Sequence, residues 1–260
     1  MRPKSTMMTI LAAFLFVAAA HAQDQSFLFT MTSPGIGGTS SFVHYDAAYG
    51  RQTFEPFGAD GVEQNLGLQA ALGQSFTLTA HMGLAVGEGP AATSQQAELI
   101  GHILQGDRLV DFSAGLGFRH EYGGTNVLLS RFIVGRRFGA SELFGNLLVE
   151  KAFAANRDPY DLTTTLGYSH ILTESIHVGV EAVGQDLEGF WNPEESEGGA
   201  VVYAGPTAGI LFPGTALNLM VGGGVILHAS SSPRSSDAYR TIGTAQHNGF
   251  IVRTMLCYGF

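Results

Sequence analysis

The sequence contains little cysteine, little charge and only one long apolar run. Cys257 is the single cysteine, so no intrachain disulfide can form. Charged side chains make up 13% of the residues, where about a quarter is usual for a soluble domain. Without Arg2 and Lys4 near the N-terminus, 11 basic side chains stand against 22 acidic ones. This balance argues against nucleic acid or an anionic membrane surface as a partner.

The N-terminal residues 1–22 have the features of a secretory signal peptide. Arg2 and Lys4 form a positive start, residues 9–20 are apolar, and an Ala-His-Ala motif occupies 20–22. A helix that spans a bilayer needs ~20 apolar residues, and this run is shorter. We therefore predict export with cleavage after the motif, and an uncleaved anchor is the alternative.

The segment 76–87 alternates strictly between apolar and small or polar residues. Such a period of two predicts a β-strand with one apolar face. A length of twelve residues exceeds the usual globular strand and suits a tilted strand that crosses a bilayer in ~9–11 residues. The apolar set is Phe76, Leu78, Ala80, Met82, Leu84 and Val86.

Eleven other segments alternate in the same way, with varying clarity. Weak alternation in 96–104 and 127–153 leaves ten or fourteen strands as alternatives to twelve. The clearer segments are 62–72, 110–122, 160–172, 175–185, 201–212, 216–228 and 249–260. The weaker ones are 41–49, 96–104, 127–138 and 143–153.

Short and long connections between these segments follow each other along the chain. Turns such as 73–75 and 139–141 alternate with loops such as 88–95 and 229–248. Inside lipid every backbone N–H and C=O has to pair within the protein, so a sheet survives there only as a closed cylinder. The pattern predicts an all-β fold, a transmembrane antiparallel β-barrel of about 12 strands, with its tight turns on one side.

On these features the chain resembles Gram-negative outer-membrane β-barrel proteins over residues 41–260. The resemblance implies the bacterial outer membrane as location, and outer-membrane lipids and the barrel-assembly machinery as partners. In that class the last strand ends in Phe after alternating hydrophobic residues, and Thr254 is a mild departure from this pattern. Residues 23–40 would be a periplasmic or lumen-lying segment. The assembly signal that the resemblance implies is Phe250, Leu256, Tyr258 and Phe260.

Ionisable side chains recur on the face expected to line the lumen. Both signs are present, so in a pore they would tune the charge selectivity for solutes. Alternatively, they form a salt-bridged network that closes the lumen. These residues are Glu63, His81, Glu98, His102, Asp111, Arg119, Glu121, Arg131, Arg137, Glu150, Asp161, His177, Glu181 and Arg253.

Many inward positions are glycine, such as Gly67, Gly167 and Gly222. Inward glycines either widen a bore or make room for large neighbours. We predict a narrow passive channel or transporter for small polar solutes. A closed barrel with a structural or adhesive role is an alternative.

Two further features point to weaker hypotheses. The set His81, Glu98 and His102 is too common by chance to predict a metal, and no cofactor is expected. The acidic loop 185–198 would bind divalent cations, constrict the mouth or remain a solvated loop with an aromatic anchor.

A lipid hydrolase, of the phospholipase or lipid A deacylase type, is the enzymatic alternative. It requires a His and a Ser close together at the lipid boundary. His228 with Ser230 is one candidate pair, and His120 with Ser130 near Asn126 is the other. Neither pair has a specific signature, so enzymatic activity is not predicted.

Overall fold

A computed structural model describes most of the chain between residues 26 and 260. The predicted signal peptide, the loop 52–59 and most of the loop 229–248 lie outside the described residues. The described ranges are 26–33, 41–51, 60–87, 91–106, 109–121, 124–154, 160–192, 199–230 and 248–260.

The described chain forms strands over nearly its whole length. The short 3-10 helix Leu187–Phe190 follows the ninth strand, and within the described ranges no helix is long and apolar enough to span a membrane. The strands are β1 Phe42–Arg51, β2 Asp60–Leu72, β3 Phe76–Gly87, β4 Ala92–Leu104, β5 Asp111–Glu121, β6 Asn126–Phe138, β7 Ser141–Ala152, β8 Asp161–Thr173, β9 Ile176–Gln185, β10 Val201–Leu211, β11 Leu217–His228 and β12 Gly249–Gly259.

The strands form one closed antiparallel barrel in which each pairs with its sequence neighbours. The first and last strands close the ring, with a register from Phe42 opposite Gly259 to Gly50 opposite Ile251. Backbone groups of both edges are thereby paired, as closure requires. The predicted barrel of about 12 strands is confirmed.

The weakly alternating segments are strands too, and their packing explains the weak signal. β4 begins at Ala92, so the expected loop over 88–95 is wrong from that residue onward. Polar Thr93 and Gln95 face outward there and hide the alternation. In β6 and β7 several inward residues are apolar because they pack on one another, which makes both faces apolar. This cluster is Val127, Leu129, Leu148 and Ala152.

Large hydrophobic side chains cover the outside of the barrel. On the outward face, Leu66 is 58% exposed and Met82 is 61% exposed, whereas the inward Thr79 is 1% exposed. In a water-soluble protein such a continuous apolar exterior would promote association. In a hydrocarbon environment this apolar exterior is in contact with lipid instead of water. The closed backbone ladder makes the fold compatible with that environment, because no backbone donor or acceptor at a sheet edge is left unpaired.

Replacement of Leu66 by arginine tests this contact with lipid. Leu66 lies midway along β2, so a charge there should destabilise the membrane-inserted barrel by about 2–4 kcal/mol. Leu109→Arg is the control, because Leu109 is exposed in the β4–β5 connection, where a charge costs about 0–1 kcal/mol. The urea dependence of folding into phospholipid vesicles measures both values. Equal effects at the two positions would contradict a lipid-facing Leu66.

Candidate functional site: the barrel lumen

Four arginines on the inner face are each held by carboxylates. Arg131 donates from Nε and Nη2 to the two oxygens of Glu98 at 2.9 and 3.0 Å. Arg253 Nη2 lies 2.9 Å from Oδ1 of Asp46. A bidentate arginine–carboxylate pair fixes geometry as well as charge. The inner wall therefore carries arginine–carboxylate ion pairs rather than independent charges.

The other two arginines each contact two acidic residues. Arg119 reaches Glu121 at 2.8 Å and Glu150 at 2.6 Å. Arg137 lies 3.3 Å from Glu142 and 3.9 Å from Asp111. Arg119 and Glu150 are buried, and pairing is required where charges are removed from bulk water, whereas Arg137 is partly exposed.

Residues 26–33, which we call the luminal segment, lie inside the barrel. Glu181 on β9 accepts three consecutive backbone N–H groups, from Leu28 at 2.6 Å and from Phe29 and Thr30 at 2.9 Å each. A carboxylate that accepts several N–H groups is a strong anchor because each bond is charge-assisted. Glu181 thus holds the luminal segment at mid-height of the wall.

Further polar contacts fix the rest of the luminal segment. Asn146 on β7 accepts from the N–H of Met31 and donates to its C=O, both at 2.8 Å. The hydroxyl of Ser33 lies 2.8 Å from that of Ser113, and Arg137 donates to the Ser33 carbonyl at 2.9 Å. The segment is therefore bound through its backbone, as a peptide in a receptor groove is.

Inward glycines accommodate the large side chains of the luminal segment. A Cβ at Gly167 would collide with the ring of Phe27, and one at Gly222 would collide with Leu28. Phe27 is fully buried and packs with Ile100 and others on the wall. At both positions the glycine therefore makes room for a large neighbouring side chain rather than widening an open bore.

The loop after β9 folds against the outer rim of the barrel. Glu188 in the 3-10 helix is buried, and its carboxylate accepts from the Leu162 N–H at 2.9 Å. Trp191, by contrast, is exposed. The first part of the predicted acidic loop is therefore attached to β8, and residues 193–198 lie outside the described ranges.

The candidate hydrolase residues are separated or engaged in structural contacts. The Ser230 hydroxyl donates to the Gly189 carbonyl and accepts from the Ala200 N–H, both at 2.9 Å. In the β5–β6 register His120 stands opposite Asn126, and Ser130 stands opposite Leu116. Four residues of each strand therefore separate His120 from Ser130 along the β5–β6 ladder, so the two candidate residues do not form a pair. His120 Nδ1 instead lies 2.8 Å from Asn126 Oδ1.

The other predicted residues of the inner face lie as follows. Glu63 and Asp161 are buried, and the ring of His81 lies beside that of His44, with centroids 5.2 Å apart and planes tilted by 55°. His102 is bonded to Thr77 and Ser113 and not to Glu98. Among the described residues, no cluster of metal-ligating side chains forms a metal site.

The residues of the expected assembly signal share the outward face at the C-terminus. Phe250, Leu256, Tyr258 and Phe260 are all exposed on that side. The N–H of Phe260 donates to the Ser41 carbonyl at 2.9 Å, so the chain is paired to its last residue. Recognition by the assembly machinery stays a prediction.

Sequence reasoning missed several residues of the inner face, and Asp46 and Asn146 are two of them. Asp46 holds Arg253 and also accepts from Asn65 Nδ2 at 3.2 Å. Both missed residues occur in weakly alternating segments at the inward phase of the strand. Extending the period-two phase through those segments would have identified them.

Comparisons with known proteins agree with the barrel architecture. No protein-family model matches the chain, and no curated protein matches it by sequence. Among solved structures, the chain is similar to an outer membrane channel from Pseudomonas putida F1, with TM-score 0.57, 10% identity, and coverage of 89% of this chain and 98% of that one. It is also similar to the KdgM porin, with TM-score 0.51, 12% identity, and coverage of 84% and 99%. At these identities the likeness establishes the fold.

Replacement of Glu181 by glutamine tests the anchoring of the luminal segment. The glutamine amide keeps the shape but presents N–H donors toward backbone N–H donors, so the bonds to residues 28–30 weaken. Loss of charge-assisted bonds should accelerate amide hydrogen exchange at residues 28–30 roughly tenfold or more. Hydrogen–deuterium exchange with mass spectrometry measures this. Glu121→Gln is the matched control, because Glu121 pairs with Arg119 on the same inner face, and equal exchange in both variants would contradict the anchor.

Proposed function

We propose that the protein is an outer-membrane channel through which small polar solutes pass passively. The observation that carries this proposal is a closed barrel with an apolar exterior and a polar, charged interior. Such a cylinder separates a lipid environment from an aqueous path, which is the arrangement that porins require. The two similar solved structures are described as an outer membrane channel and a porin, which supports the same class.

The luminal segment restricts the bore of this channel. It crosses the lumen at the height of Glu181 and Asn146 and fills part of the cross-section with Phe27 and Leu28. A cavity of about 150 Å³ remains beside it. Solutes that pass are therefore small, and conductance is low compared with an open barrel of the same strand number.

Acidic side chains outnumber basic ones on the inner face of the described strands. Nine carboxylates face four arginines there, so the wall carries a net negative charge. A charged ring in a narrow bore attracts counter-ions and repels ions of like charge. The carboxylates are Asp46, Glu63, Glu98, Asp111, Glu121, Glu142, Glu150, Asp161 and Glu181.

Single-channel recording of purified protein in planar bilayers tests the proposal. We expect small current steps and, under a KCl gradient, a reversal potential that shows preference for K⁺ over Cl⁻, because the wall is acidic. Preference should weaken at high salt as the Debye length shortens. Absence of current despite verified insertion would overturn the channel, and preference for Cl⁻ would overturn the electrostatic argument.

Deletion of residues 26–33 tests the restriction of the bore. Removing Phe27, Leu28 and their neighbours frees cross-section, so single-channel conductance should increase severalfold. The control replaces the same residues by a Gly-Ser sequence of equal length, which keeps the tether but not the wall contacts, and should also conduct more. Unchanged conductance in both folded variants would mean that the luminal segment does not limit passage.

A further inference from the structure

An apolar groove lies on the lipid-facing side of the barrel, over β2 to β5. Its floor is formed by Ala80 of β3 and Ala97 of β4, which stand opposite each other in the ladder. Leu68 of β2 and Phe118 of β5 flank this pair in the same row of the sheet. Two short side chains between two long ones leave a depression in a wall that elsewhere carries large hydrophobic residues.

The size of the groove suits one hydrocarbon chain. Its volume is about 540 Å³, and it is open toward the membrane. An apolar cavity of about 150 Å³ holds benzene with its six carbon atoms, so by proportion the groove holds roughly 20 heavy atoms. A fatty acyl chain together with its ester group has this size.

Polar side chains occupy one end of the groove. Gln95 of β4 and His120 of β5 stand opposite each other, and both line it. His120 is the penultimate residue of β5, and Asn126 opposite it is the first residue of β6. The strand ends of a transmembrane barrel lie at the membrane boundary. The polar end of the groove therefore lies toward that boundary, and the alanine floor lies deeper in the apolar band.

The groups at the polar end call for hydrogen bonds from an occupant. His120 Nδ1 lies 2.8 Å from Asn126 Oδ1, an oxygen that only accepts, so in the neutral ring the hydrogen is on Nδ1 and Nε2 is left as an acceptor. Among the described residues the Gln95 carboxamide makes no hydrogen bond, although it is exposed on the lipid-facing side. A polar group without a partner in hydrocarbon is costly. An occupant with donor groups at this end removes that cost.

We propose that this groove binds one acyl chain of a membrane lipid, with hydrogen-bond donors of the lipid head at Gln95 and His120. The alanine floor and its flanks contact the chain, and the polar end contacts the head. No Asp, Glu, Lys or Arg is present in the described lining, so the head is recognised by hydrogen bonds rather than by charge. The site lies outside the lumen and is therefore independent of solute passage.

Photo-crosslinking in phosphatidylcholine vesicles tests the groove in the full chain. The probe is a trace of phosphatidylethanolamine with a diazirine on one palmitoyl chain, and mass spectrometry maps the labelled residues. We expect labelling of β3–β5 severalfold above that of β9–β11, which form the opposite wall. Equal labelling around the barrel would overturn the site. Reduced labelling of β3–β5 together with cross-linked protein dimers would mean that a second copy covers the groove, and would equally overturn the proposal.

Filling the groove tests whether its shape causes the labelling. Ala97→Phe places a ring on the floor and should abolish the excess on β3–β5. Ala204→Phe is the matched control, because Ala204 is an outward alanine on β10, across the barrel from β4. Heat-dependent migration in gels verifies that both variants are folded. Excess labelling that survives Ala97→Phe, or that is lost equally in Ala204→Phe, would exclude the groove as its cause.

Changes at the polar end test recognition of the head. Gln95→Leu and His120→Leu should each reduce labelling by the phosphatidylethanolamine probe roughly fivefold, the effect of one hydrogen bond. A phosphatidylcholine probe with the same chain has no N–H in its head, so these variants should not change its labelling. Equal labelling by the two probes in the unaltered protein would overturn the contact between the lipid head and these residues.

Discussion

The pairing of the first strand with the last is the constraint on which the structure depends. β1 and β12 are bonded from Phe42 opposite Gly259 to Gly50 opposite Ile251. Without this seam, two rows of backbone donors and acceptors would face hydrocarbon, where nothing replaces water as a partner. Closure also divides every strand into an outward and an inward face, and it thereby creates the interior in which the arginine–carboxylate pairs lie.

Enclosure explains why the interior charges are arranged across strands. The pair of Glu98 and Arg131 joins β4 to β6 over the intervening β5. Gly115 and Gly117 of β5 stand between them, and a Cβ at Gly117 would collide with the Glu98 side chain. Glycine at this position lets two charged side chains meet over a neighbouring strand. Inward glycines thus permit ion pairs across a neighbouring strand, and they also make room for the large side chains of the luminal segment.

The sequence predicts the barrel well where outward and inward residues differ in polarity, as in β3. It predicts poorly where that contrast fails, as at Gln95 on the outside and Leu129 on the inside. The alternation within each strand predicts which ionisable residues face inward. Their partners cannot be predicted in this way, because they depend on the register between strands and on side chains that extend across an intervening strand. The contacts of the luminal segment could not be predicted from the sequence, because eight residues carry too little periodicity to specify a binding partner.

The anchor at Glu181 has a consequence for biogenesis. It joins positions separated by 153 residues in the chain, so the acceptor is synthesised long after the donors. Contacts of such sequence separation carry a large loop-closure cost and form late. The luminal segment can therefore reach its anchor only once Glu181 of β9 is in place. The sequence separation between Glu181 and the backbone amides of residues 28–30 thus makes this anchor a late contact in assembly.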